Sequence, residues 1–321
     1  MSPSPVQRVL ETVKPYARAV KFNWLYRRSV RRAKQARSSE GSAATPIAFF
    51  IGCGRSGTTI LGDVFARHPQ VHYLFEPYHS WAAIDPRTDM LRLYVNGDGE
   101  TLMDGDEVRD GVRARFERVI LAEGAASGRS LIVEKTPINT LRIGYLEALA
   151  PGSNYLHIVR DGVDVCRSIN RLATLNDYAI AGKPTLNKWW GIGGYKWQAL
   201  ARDGAKAGYY PDEVTTLTTH LERGAYEWLV SLGEVDRHRA ALGGRLFEFT
   251  YDQFTRAPRQ TLTDIANHLG IDAGEDWLRA GDEALDEARR NKGEPLRLPL
   301  KMATDFNRYQ ERFGFENRAE V

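Results

Sequence analysis

The stretch FFIGCGRSGTTIL, residues 49–61, constrains this chain more than any other. A short apolar run ends in three glycines and restarts on two threonines and a helix-forming sequence. That is the pattern of a strand, a tight turn and a helix whose first backbone N–H groups face outward toward an anion. Gly52, Gly54 and Gly57 spell the G-x-G-x-x-G of dinucleotide sites, while Gly52 and Gly57 also frame the G-x-x-x-x-G of a phosphate loop. Thr58 stands where the second pattern requires lysine. Arg55, three residues earlier, offers a permanent, forked positive charge suited to bidentate phosphate contact.

The rest of the chain repeats the unit. Strand-like runs at Ile47–Gly52, Val71–Phe75, Ser130–Glu134, Tyr155–Val159 and Leu246–Thr250 alternate with helical patterns at Thr58–Arg67, Glu107–Glu123, Ile138–Ala150, Val163–Leu175, Glu213–Arg239 and Arg259–Leu269. Short, nearly all-apolar strands between helices predict an α/β fold, a P-loop-like parallel sheet flanked by helices on both faces. Ligands of such sheets bind at the carboxyl ends of the strands. The reading divides the chain into a basic helical arm with its linker, 1–45, and a domain over 46–321 carrying an aromatic-rich insertion at 176–212.

Charge is distributed unevenly. The net +3 of the 321 residues conceals ten Lys and Arg against Glu11 and Glu40 in residues 1–45, leaving 34 basic and 39 acidic residues beyond. A mildly acidic body argues against a nucleic-acid-coating protein. Val6, Val9, Leu10, Val13, Ala17, Val20 and Trp24 recur at helical spacing in the arm, and Arg27, Arg28, Arg31, Arg32 and Lys34 follow. Such a helix packs on the body, stands as a solvated arm, or lies on an anionic membrane, and peripheral contact through residues 6–37 is carried as an expectation. SSEGSAATP, 38–46, reads as a linker. Two cysteines, Cys53 and Cys166, form no metal or disulfide pattern, and no apolar run reaches about 18 residues. A cytoplasmic protein, peripheral to the membrane if the arm binds it, is expected.

Three uses of the loop compete. A dinucleotide oxidoreductase would set Glu76, 19 residues past Gly57, on a ribose. A phosphoryl-transfer enzyme would use Asp161 for magnesium, with Arg160 beside it opposing the cation. The third use is a nucleotide that carries a sulfuryl group, and a nucleotide- or membrane-binding module without turnover is the non-enzymatic alternative.

The residues GCGRSGTTIL resemble the 5′-phosphosulfate loop of sulfotransferases that use 3′-phosphoadenosine 5′-phosphosulfate, and HIVRDGVDVCRSI, 157–169, resembles their 3′-phosphate motif. The two occur in the correct order about 100 residues apart, within a resemblance spanning about residues 46–270. It is nearest to the tyrosylprotein sulfotransferase branch and its bacterial relatives, which carry Arg where cytosolic enzymes carry Lys, as here at Arg55.

The resemblance implies sulfuryl transfer to a hydroxyl acceptor without a metal. It assigns the 5′-phosphate to Arg55, Ser56, Gly57, Thr58 and Thr59, the 3′-phosphate to Arg160 and Ser168, and the adenine neighbourhood to Tyr251. Lys135, at the carboxyl end of LIVEK, would stabilise the leaving oxygen. Glu76, in YLFEPYH, would serve as general base, with His79 in reserve. The late segment RRNKG, 289–293, is similar to a basic-glycine segment of the family, but the usual tryptophan–lysine ending is absent. Trp189, Trp190, Trp197, Tyr195, Tyr209 and Tyr210 in the insertion either line an acceptor pocket or form a satellite core.

Overall fold

A computed structural model describes residues 5–35, 45–284 and 295–321, with side chains from residue 12 onward. The RRNKG segment and all but the last residues of the 38–46 linker lie outside the described residues. Five strands form one parallel sheet: β1 (Ile47–Ile51), β2 (Val71–Phe75), β3 (Leu131–Lys135), β4 (Asn154–Val159) and β5 (Leu246–Thr250). Their order is β2-β3-β1-β4-β5. The chain leaves β1 toward one edge and, after β3, crosses to the other side, so a crevice opens at the carboxyl end of β1.

The strands were legible because β1, β3 and β4 bury both faces. Ala48, Phe49, Phe50 and Ile51 are wholly inaccessible, as are Ile132, Val133, Leu156 and Ile158. One face packs with Trp81, Phe116 and Tyr145, the other with Phe65, Phe254 and Leu262.

Helix boundaries moved where local chemistry overrides periodicity. The expected helix 213–239 starts at His220, because Thr219 accepts the Glu222 N–H while the Glu222 carboxylate reaches back to the Thr219 N–H. The stretch 107–123 breaks into Val112–Phe116, a wide turn at Glu117–Leu121 and Ala122–Ala126. Pro137 opens a tight helical turn, Pro137–Arg142, before the helix Ile143–Leu149.

The arm is not detached from the body. Helix α1 (Pro5–Lys34) lies across α3 (Tyr78–Ile84), and Arg32 pairs with Glu123. Tyr26 stacks on Tyr94 at 5.1 Å between centroids, and Arg18 sits 4.1 Å over the Tyr178 ring. No helix among the described residues is long and apolar enough to cross a membrane.

Candidate active site

At the end of β1 the backbone turns by alternating left-handed conformations, Gly52 at φ 145°, Arg55 at 76° and Gly57 at 96°, and enters α2 (Thr58–Ala66). Two of the glycines are required by contact as well as by φ. A Cβ on Gly52 would stand 2.5 Å from the Ile158 carbonyl oxygen, and one on Gly57 would stand 2.3 Å from the Tyr251 ring. Gly57→Ala combines that overlap with a conformation L-residues avoid. It is expected to destabilise the protein by about 2 kcal/mol or more, read as a lower denaturation midpoint in urea.

The loop is anchored by groups that the motifs did not reveal. The Gly52 N–H donates to Thr140 Oγ1 at 2.7 Å. Gly54 is closed off by Trp189, 2.4 Å from where its Cβ would be. Trp189 Nε1 donates to Glu227 at 3.0 Å, and Lys196 Nζ pairs with both oxygens of that carboxylate at 2.7 and 2.9 Å. Both charges are buried, and the ammonium also lies 4.0 Å over the Trp189 ring. Glu227, a lone acid inside GAYEWLVSL, was the available sequence signal. Lys196→Met strands the buried carboxylate and is expected to cost about 3–5 kcal/mol of stability by chemical denaturation.

Around this loop the structure gathers most of the residues singled out from sequence. Arg55 Nε donates to Ser168 Oγ at 3.0 Å, across from the helix Gly162–Leu175. Arg160 follows β4, donates to the Arg55 carbonyl at 3.4 Å and to Asp164 at 3.2 Å, and holds its guanidinium 4.8 Å over the Tyr251 ring. Burial, then the neighbouring charges of Arg160 and Arg171, depress the pKa of Arg55. Like charges drawn together against a nest of N–H groups describe a site complementary to an anion. Ser56 fits the same conclusion, since its hydroxyl is buried and makes no hydrogen bond among the described residues.

Tyr251 is buried with its ring against Gly57 and Arg160. Asp161 caps its helix, accepting from the Val163 and Asp164 N–H groups and from Asn317 Nδ2. These bonds occupy the carboxylate that a phosphoryl-transfer enzyme would have offered to magnesium.

On the other side of the loop stand Glu76 and Lys135. They meet because β2 and β3 are neighbours in register, Phe75 opposite Lys135. Lys135 Nζ donates to Glu76 Oε1 at 2.5 Å and lies 4.4 Å over the Phe75 ring; the lysine is fully buried and Glu76 partly open. The left-handed backbone of Glu76, φ 41°, turns the chain back over Lys135, whose carbonyl accepts the Glu76 N–H. The ammonium holds Oε1 and leaves Oε2 to face the cavity.

Glu76, Arg55, Thr58 and Thr59 line a cavity of about 520 Å³ whose other walls are largely apolar. Trp189 and Tyr178 of the insertion reach it, as do Phe22 and Leu25 of α1. Trp190, Trp197, Tyr209 and Tyr210 instead pack around Tyr226 in the core. The insertion therefore divides between the cavity wall and the core. His79 also borders the cavity; Ser29 and Ser80 hold its Nδ1, and burial lowers its pKa.

A parallel sheet with an anion loop after β1 and a cationic residue after β4 defines the P-loop-like class of nucleotide-binding folds. Residues 46–190 match the model of the sulfotransferase family. Protein-tyrosine sulfotransferase 2 of Gallus gallus is 30% identical over 156 residues, covering 46% of this chain and 40% of the relative; the chain thus spans about two fifths of that protein's length. Two solved structures share the fold. The sulfotransferase domain of the Synechococcus PCC 7002 olefin synthase aligns with a TM-score of 0.50 at 20% identity, over 88% of this chain and 99% of that one. Sulfotransferase STF9 of Mycobacterium avium aligns with a TM-score of 0.51 at 13% identity, over 100% and 89%.

Proposed function

We propose that the protein is a sulfotransferase that uses 3′-phosphoadenosine 5′-phosphosulfate and a hydroxyl-bearing acceptor. The observation that carries this reading is the juxtaposition of a cationic anion cradle with the Glu76–Lys135 pair, Arg55 and Glu76 both bordering one mostly apolar cavity. The co-substrate supplies one activated group, a sulfuryl bonded to a phosphate oxygen. Arg55, the loop N–H groups of Ser56–Thr59 and the unpartnered Ser56 hydroxyl would hold the 5′ side; Arg160 and Ser168 would hold the 3′-phosphate, with Tyr251 beside them. Glu76 takes the acceptor proton. With Oε1 held by Lys135, the proton goes to Oε2, and Lys135 balances charge on the bridging oxygen as it departs. Side-chain cations and backbone dipoles supply the charge stabilisation, so turnover is expected to persist in EDTA.

The domain division at 45/46 and peripheral membrane contact through residues 6–37 belong to the same reading. The acid-free basic stretch from Lys14 to Lys34 supports the contact. The first test is melting against adenosine 3′,5′-bisphosphate, ATP with magnesium, and NAD. Stabilisation by the bisphosphate alone supports the reading, and a shift only with ATP–magnesium or NAD overturns it.

A further inference from the structure

Helix α1 carries two apolar stripes, and the body takes only one. Phe22, Leu25, Tyr26, Ser29 and Ala33 turn inward, while Val13, Tyr16, Val20 and Trp24 stand between 53 and 70% exposed. The exposed four recur at three- and four-residue steps, so they form a continuous line on one face. Lys14, Lys21, Arg27 and Arg31 flank or extend it and make no ion pair among the described residues. No acidic residue occurs from Thr12 to Lys34.

A partner for this face must offer apolar depth and negative charge together. An anionic phospholipid surface has both, and tryptophan beside arginine suits its headgroup boundary. A second copy would set one basic flank against another across a twofold axis, which electrostatics disfavours.

The cavity lies immediately behind the same helix. Lys21 borders it while adjoining Val20, and Phe22 and Leu25 form part of its wall with Leu93 and Tyr94. We infer that α1 docks flat on an anionic membrane and that the Glu76 cavity draws its acceptor from that surface. The acceptor would be an amphiphile with a hydroxylated head and an apolar body. This rests on the reading of the cavity as the acceptor site of a sulfotransferase.

The test uses the full chain in flotation with vesicles of phosphatidylcholine alone or with about one third phosphatidylglycerol. Binding is expected only with the anionic lipid and should fall about tenfold in Val20→Asp/Trp24→Asp, and also in Arg27→Glu/Arg31→Glu. Bisphosphate-induced stabilisation of both variants should match that of the parent, which shows that they are folded. Anionic vesicles doped with a photoreactive diacylglycerol should label Phe22, Leu25, Leu93 or Tyr94. Undiminished flotation of both variants, or label confined to the outer face of α1, overturns the inference. So does a dimer that Val20→Asp/Trp24→Asp dissolves, because the stripe then covers a second copy. Flotation without any bisphosphate response sinks the sulfotransferase reading and leaves the docking standing; the reverse result sinks the docking alone.

Discussion

Glu76→Gln is expected to lower kcat by about 10²–10⁴-fold while leaving bisphosphate affinity within about threefold. The substitution keeps the shape of the side chain and an oxygen for Lys135, whose Nζ lies 2.5 Å from Oε1. The strained backbone, φ 41°, is common to both residues. What disappears is the capacity to accept a proton from the acceptor hydroxyl. Lys135→Ala differs in kind, because it removes both the charge on the departing side and the group that orients Glu76, so kcat should fall at least as far. Single-turnover measurements with saturating co-substrate separate the chemical step from product release. If the Gln variant retains parental turnover, Glu76 is no base, and His79 becomes the group to replace. Its imidazole is held near Ser29 and Ser80, and burial keeps its pKa below the usual value. It would therefore be neutral and able to accept a proton at pH 7.

The sheet could be read from the sequence because its strands are short and doubly buried, so each appears as an uninterrupted apolar run. The loop could be read because glycines are forced at Gly52 and Gly57 by backbone conformation and by contact. Arg160 and Ser168 were placed by motif, and the structure brings Ser168 into hydrogen-bond contact with Arg55. Long-range pairs were less accessible. The Glu76–Lys135 contact follows from β2 lying next to β3, and strand order is not written in local pattern. Lys196 and Glu227 meet across 31 residues, and neither has a periodic signature. The packed face of helix α1 could not be read from sequence, for a definite reason. Its most regular apolar line, running through Val13, Val20 and Trp24, is the exposed one, while the buried line mixes Phe22, Leu25 and Tyr26 with Ser29 and Arg18. A helix with two candidate faces is assigned by its neighbours, and Tyr94, Tyr178 and His79 were not identifiable as those neighbours.

Arg160→Ala is expected to weaken bisphosphate binding about 100-fold, the scale of one or two charge-assisted hydrogen bonds at about 1.5–3 kcal/mol each. The consequence for melting is specific. At a ligand concentration of 100 times the parental Kd, binding adds about 2.7 kcal/mol to the parent and only about 0.4 kcal/mol to the variant. Without ligand the two proteins should differ far less, because two effects oppose each other. The variant loses the contacts of Arg160 with Asp164 and the Tyr251 ring. It also relieves the crowding of Arg55, whose pKa is depressed by burial and then by the charges of Arg160 and Arg171. A bound phosphate would relieve that crowding in the parent. A full ligand increment in the variant would remove Arg160 from the binding site. A large loss of stability without ligand, with the increment intact, would make it a structural residue of the β4 turn.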